Sequence, residues 1–257
     1  MTHSTDPPGV RLHLDGTVAR LTLDRPERHN ALEADDVALL LSQLDVIESS
    51  DAVRVITLTG SGSSTFCSGA SLSQMESGDM SGEVFDTLTG RLAASRLPTV
   101  CVLNGSVYGG GAEIALCCDF RIGVTGSRLS VPAASLGVCY PVGGLRRYVE
   151  RLGLSTANRI LVSAEEMDAE EMLRVGFLTR LVSPEQLSTE ADALAARLSG
   201  LAPLAVQAMK RILLTIASGE VDDAEAARLI DACTRSEDLE EGLRARREGR
   251  APRFEGR

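Results

Sequence analysis

Val10-Arg-Leu-His-Leu and Val18-Ala-Arg-Leu-Thr-Leu alternate apolar and polar positions on either side of Asp15-Gly16, a pattern that predicts a β-hairpin. Over residues 34 to 48 the period changes, and Val37, Leu40, Leu41, Leu44 and Ile47 fall on one helical face. Val53-Arg-Val-Ile-Thr-Leu-Thr reads as a buried strand ending at Gly60. Residues 61 to 81, rich in Gly and Ser, predict loop with one short helix, and a longer helix follows through Phe85, Leu88 and Leu92. Thr99-Val-Cys-Val-Leu predicts a further strand, after which Gly109 to Gly111 opens a helix running to about Cys118. Strand, helix and strand succeed one another to about Val182, the order of parallel crossovers in an α/β domain.

Beyond residue 183 the pattern is almost wholly helical: Leu187 to Leu198, Pro203 to Ala217, Val221 to Cys233 and Ser236 to Arg247. Pro203 suits a first helical turn and Gly219 a helix stop. Such a tail either covers its own sheet or packs against neighbouring subunits. The expected organisation is a disordered lead at 1–8, a core at 9–183 and a helical domain at 184–257. No internal repeat or low-complexity tract is visible. The final segment from Arg244 carries six Arg and two Glu, read either as a solvated basic tail or as a phosphate or neighbour contact.

Composition narrows the function classes. The 257 residues carry 26 Lys+Arg against 36 Asp+Glu, a net charge of −10, which argues against a nucleic-acid binder. Lys210 is the single lysine, and its place beside Arg211 reads as a snorkelling surface residue. No stretch reaches the roughly 18 apolar residues of a membrane span. The first eight residues lack a signal peptide's basic flank and apolar run. Six cysteines match no zinc or disulfide spacing, so most read as small apolar filler in a reduced, cytoplasmic protein.

Three segments can carry chemistry. In Asn104-Gly-Ser-Val-Tyr-Gly-Gly-Gly-Ala-Glu-Ile-Ala-Leu a strand feeds a glycine triplet that opens an apolar helix, leaving backbone N–H groups free to meet an oxyanion or a phosphate. The same glycines also suit a tight turn. Neither the dinucleotide nor the P-loop fingerprint is present. Glu113, in the first turn of that helix, is either a dipole-complementing residue or, beside an oxyanion hole, a general base. Thr65-Phe-Cys-Ser-Gly-Ala-Ser-Leu-Ser-Gln-Met is a second glycine-led approach to a short helix. The third, Val131-Pro-Ala-Ala-Ser-Leu-Gly-Val-Cys-Tyr-Pro-Val-Gly-Gly, is a Pro/Gly loop without an acid. The histidines, His3, His13 and His29, stand in no nucleophile or zinc motif, and His29 reads as a surface turn residue.

Taken together these segments resemble the crotonase superfamily, the enoyl-CoA hydratase/isomerase family. The resemblance rests on Leu23-Asp-Arg-Pro-Glu-Arg-His-Asn-Ala-Leu32, Phe66-Cys-Ser-Gly-Ala-Ser71, the Asn104 to Glu113 segment and Leu136-Gly-Val. Gly176-Phe-Leu-Thr-Arg-Leu-Val182 and Gly249-Arg-Ala-Pro-Arg-Phe254 also fit, so it spans nearly the whole chain in order. It implies an α/β spiral of repeated ββα units with a C-terminal helical oligomerisation domain, and homotrimers that pair into hexamers. It implies an enzyme of acyl-CoA and fatty acid metabolism, a lyase or isomerase, with no metal or separate cofactor, CoA arriving as part of the substrate.

Carried over by position, the resemblance makes the Ala70 and Gly110 N–H groups an oxyanion hole for the thioester enolate and Glu113 the acid/base. Ser68, Ala70, Ser71, Leu72, Ser73 and Gly110 would contact the substrate, with Arg25 and Arg28 near the CoA entrance. The pattern departs at Ala133, where the family's second glutamate belongs, at Ser71, where Asp is usual, and at Ser73, where Lys is frequent. One carboxylate still permits a proton to move between carbons, or slow hydration. Decarboxylation through an enolate and a catalytically weak thioester binder are the alternatives. Tyr140 is either a candidate acid in the active-site loop or a packed aromatic. Glu76 is a lid glutamate, either exposed or folded inward as the missing carboxylate.

Overall fold

The turn at Asp15 and Gly16 sets the first two strands. β1 (Val10–Asp15) and β2 (Val18–Leu23) pair antiparallel, from Val10 opposite Leu23 to Asp15 opposite Val18. The structure, a computed structural model, describes residues 9–257, so the lead expected at 1–8 lies outside the described residues. Beyond the hairpin, neighbours in the large sheet are parallel: β2 beside β3 (Val55–Gly60), then β5 (Thr99–Leu103), β7 (Phe120–Val124) and β10 (Arg180–Val182). A second sheet carries β4 (Thr65–Cys67), β6 (Ser106–Tyr108), β8 (Arg128–Ser130) and β9 (Met167–Asp168), in that order.

The chain thus lays one strand in each sheet and returns through helix, three times in succession. β3 and β4 lead to α2 (Leu72–Ser77) and α3 (Gly82–Ala93); β5 and β6 lead to α4 (Gly110–Cys117); β7 and β8 lead to α5 (Val142–Ala157). This ββα spiral leaves no repeat in the sequence because its turns differ in burial. β5 is buried at all five positions and α4 at every position after Gly110, whereas α5 keeps only Gly144, Tyr148 and Ala157 buried. Buried parallel strands select continuous apolar runs, which erases the alternation that would mark equivalent positions.

One apolar core fills the space between the sheets and helices α1 (Ala34–Glu48), α3, α4 and α6 (Ala169–Arg174). A second lines the opposite face of the large sheet, where Val18, Val55, Val100 and Ile122 meet Leu187, Ala191 and Leu198 of α7 (Leu187–Ser199). α7 therefore covers its own sheet. Beyond it, α8 (Pro203–Ser218) and α9 (Asp223–Thr234) expose Met209, Leu213, Ile216 and Ile230.

Two charged features correct the sequence reading. Lys210 is not a surface residue: its Nζ lies 2.7 Å from Asp119 and donates to the Leu97 carbonyl at 2.7 Å, tying α8 to the strand starts. Nor is the C-terminal segment a free basic tail. Glu241, on α10 (Glu237–Glu248), binds Arg250 at 2.6 Å and accepts the Arg253 N–H at 2.9 Å. Asp238 accepts the Glu255 and Gly256 N–H groups. These bonds hold the Glu241 carboxyl far below the usual carboxylate range. Cys67, Cys101, Cys117 and Cys118 are buried free thiols, Cys233 is half-buried and Cys139 is exposed.

Candidate functional site

Two backbone amides meet where β4 and β6 run out. The strands pair in parallel with Cys67 opposite Val107, and Ala70 and Gly110 each lie three residues further on. Gly110 is the first residue of α4, so its N–H has no partner within the helix. Ala70 forms an isolated parallel bridge with Leu32: Leu32 N–H donates to the Gly69 carbonyl and Ser71 N–H to the Leu32 carbonyl, both at 2.8 Å. In that geometry the neighbours of Ala70 make the bonds, and its own N–H faces away from Leu32. Neither amide donates a hydrogen bond among the described residues.

Glycines make the approach possible. Gly69 has φ 87°, and a Cβ there would stand 2.5 Å from the Gly110 nitrogen; one on Gly111 would stand 2.3 Å from the Cys67 carbonyl oxygen. Two free donors from adjacent turns of the spiral, together at a cavity wall, can stabilise an oxygen on which negative charge develops.

Three residues along α4, Glu113 is 3% exposed in an otherwise apolar helix. Its Oε1 accepts from Arg147 of α5 at 2.5 Å. Burial pushes its carboxyl above the ordinary glutamate value; Arg147 and a bond from Thr89 pull it down, and the charge of Asp86 pushes it up again. A buried glutamate on a cavity wall is not a surface residue placed to complement a helix dipole. A carboxyl raised in this way is, once ionised, a stronger proton acceptor than an exposed glutamate.

The cavity enclosed here has a volume of about 760 Å³. Ser68, Ala70, Ser71, Leu72 and Ser73 line one side, with Gly110 and Glu113 beside them, and Arg28 stands at its exposed edge, 2.8 Å from Glu33. Ser71 and Ser73 share a hydrogen bond at 2.9 Å. Tyr140 lines the wall and also packs on Tyr148, ring centroids 6.3 Å apart, so both readings of it hold in part. Burial and the charge of Glu113 raise its phenol above the ordinary value, which keeps the proton on it. Ala133, 8% exposed, presents only its methyl group to the cavity. Glu76 is exposed on α2 and does not line it.

Arg25 is the correction. It is 7% exposed, is absent from the cavity wall, and its Nε lies 3.1 Å from buried Asp36. Asp36 also accepts the Gly9 and Glu33 N–H groups, while Asn30 accepts the Arg25 N–H and donates to the Thr65 and Phe66 carbonyls. The Leu23 to Leu32 segment is thus a clamp that holds Leu32 against Ala70. Asp36→Ala leaves Arg25 buried without that charge, and is expected to cost about 3–5 kcal/mol of stability, measured by denaturant unfolding.

Asp86 and Arg147 escaped the sequence reading, and the pair Gly143-Gly144, read there as loop, opens α5. Asp86 lines the cavity from α3. A Cβ on Gly143 would stand 2.6 Å from the Asp86 carboxylate, and one on Gly144 2.9 Å from that of Glu113. An acid directly after Phe85 on an apolar stripe, and two glycines opening a helix, were the available signals. Among the described residues no group of three or more His, Cys, Asp or Glu is placed to hold a metal ion.

Comparison with known proteins follows the same outline. A family model described as enoyl-CoA hydratase/isomerase matches residues 13–257. A short-chain-enoyl-CoA hydratase of Clostridium acetobutylicum is 31% identical over 92% of this chain and 93% of that protein. A carnitinyl-CoA dehydratase of Salmonella arizonae is 33% identical over 96% and 98%. The solved enoyl-CoA hydratase of Mycobacterium tuberculosis matches with a TM-score of 0.87 at 28% identity, over 98% of this chain and 100% of that one.

Proposed function

The chain belongs to the enoyl-CoA hydratase/isomerase family and acts on acyl-CoA, and from that premise we propose that it works through a thioester enolate held by the Ala70 and Gly110 amides, with Glu113 moving the proton. The observation that carries this reading is the approach of Gly69 to the Gly110 nitrogen, which sets two unpaired donors beside a buried glutamate.

The steps follow from the geometry. The thioester carbonyl accepts from both amides, which makes the C2 protons more acidic. Glu113 takes a C2 proton, and the electron pair comes to rest as an enolate on the carbonyl oxygen. The chain's own donors are already oriented there, so little reorganisation opposes the charge. Returning a proton further along an unsaturated chain moves the double bond. Adding water across a conjugated one needs a second group to hold that water, and position 133 offers a methyl group. Proton transfer along the chain is therefore favoured over hydration.

A panel of 2-enoyl, 3-enoyl and malonyl-type CoA thioesters tests this, read by absorbance of the conjugated thioester and by product mass. Isomerisation of the 3-enoyl substrate with slow hydration of crotonyl-CoA is the expected result. Ala133→Glu is expected to raise crotonyl-CoA hydration roughly ten- to a hundredfold, the low end of what a positioned carboxylate contributes. Rapid hydration by the unaltered chain would refute the weight placed on Ala133. Loss of carbon dioxide from the malonyl-type thioester would favour the decarboxylase reading, for which the neutral Tyr140 hydroxyl on the wall is the supporting feature. Exposed Met209, Leu213, Ile216 and Ile230 support assembly into trimers or hexamers.

A further inference from the structure

We infer that Asp86 is the second proton-transfer residue of this cavity and that it directs the enzyme to 3-enoyl thioesters, serving C4 of the acyl chain while Glu113 serves C2. The inference rests on the enolate reading above and adds a residue to it.

Asp86 and Glu113 reach the cavity from different helices, α3 and α4, and converge on consecutive glycines at the start of α5. Their approach explains why both positions lack side chains. Gly143 and Gly144 follow Pro141 in the first turn of α5, where main-chain N–H groups have no helical partner and the helix dipole favours negative charge. Any Cβ at these positions would collide with a carboxylate. Among the described residues the Asp86 side chain has no ion pair or hydrogen bond, although it faces the cavity, so it is available to a substrate. Glu113, by contrast, is fixed by Arg147. The neighbouring Phe85 ring lies against Gly110, which places α3 beside the end of the cavity that holds the thioester carbonyl.

In the forward direction the C2–H bond breaks as Glu113 takes the proton, and the electron pair enters the enolate. Glu113 passes that proton to Asp86, and the C3–C4 double bond shifts to C2–C3 as C4 takes it from Asp86. Both side chains then hold the protons they began with. No oxidant, reductant or water is consumed.

The test compares the unaltered chain with Asp86→Asn, Gly143→Ala and Glu113→Gln on a 3-enoyl-CoA in D2O. Asp86→Asn is expected to lower kcat about 100-fold with KM nearly unchanged. Deuterium at C4 of the product is expected to give way to hydrogen carried over from C2, because only Glu113 then remains to shuttle it. Gly143→Ala, which adds a helix-favouring residue but displaces Asp86, is expected to lower kcat while the melting temperature holds. Undiminished kcat and unchanged C4 labelling in Asp86→Asn would overturn the inference and leave the enolate reading standing, provided Glu113→Gln is inactive. A loss confined to KM would make Asp86 a binding group and overturn it as well. If the unaltered chain neither isomerises 3-enoyl thioesters nor exchanges C2 protons, both readings fall together.

Discussion

Gly69→Ala is expected to remove nearly all turnover, by about 100- to 1000-fold for each donor displaced. Two independent faults arise from one methyl group. The backbone at φ 87° lies in the left-handed region that alanine occupies only at a cost, of order 1–3 kcal/mol. The added Cβ would also sit 2.5 Å from the Gly110 nitrogen, against backbone that cannot swing aside as a side chain can. Either the Gly69–Ala70 segment or the start of α4 has to shift, and these carry the two donors. Steady-state kinetics should therefore show kcat collapsing while the thermal midpoint falls by only a few degrees. Retention of more than a tenth of the activity in a folded protein would mean that the two amides do not act on one oxygen.

Glu113→Gln should be nearly as severe, with kcat falling about 10²- to 10⁴-fold, because the amide keeps the shape but cannot accept the C2 proton. Binding of a saturated acyl-CoA, measured by calorimetry, should persist, since the amides and the cavity wall are untouched. The pH profile carries a signed expectation. A base must be ionised to act, and burial raises the Glu113 carboxyl above the ordinary glutamate value. The acid limb of kcat/KM should lie at higher pH than that of an exposed glutamate, with activity rising as pH passes the raised value. In Glu113→Gln that limb should vanish from whatever residual rate remains. An unaltered rate would exclude Glu113 as the base.

Much of this was legible before any coordinates. The hairpin, the buried strands and the four C-terminal helices follow from periodicity, with α7 through α10 beginning and ending within a few residues of their expected bounds. The two glycine-led segments and Glu113, a lone acid in an apolar helix, are local signals, whereas the choice of Ala70 and Gly110 within those segments came from the family resemblance. Arg25 and Lys210 misled for a common reason: sequence gives a basic residue's charge but not its partner. Asp36 and Asp119, which neutralise them, come from other elements that only the fold brings alongside. Asp86 was invisible for the converse reason. Its importance lies in facing Gly143 of another helix with no ion pair or side-chain hydrogen bond among the described residues, a relation that arises only once α3 and α5 have packed.

The parallel register of the smaller sheet has one further consequence. Cys67 lies opposite Val107 and Val107 opposite Leu129, so stepping three residues past each gives Ala70, Gly110 and Pro132. All three positions border the cavity, as equivalent rungs of one ladder. The first two present an N–H group, but a proline ring has none to give. The row of donors therefore stops after two, and an oxygen held by Ala70 and Gly110 would find no third N–H at Pro132.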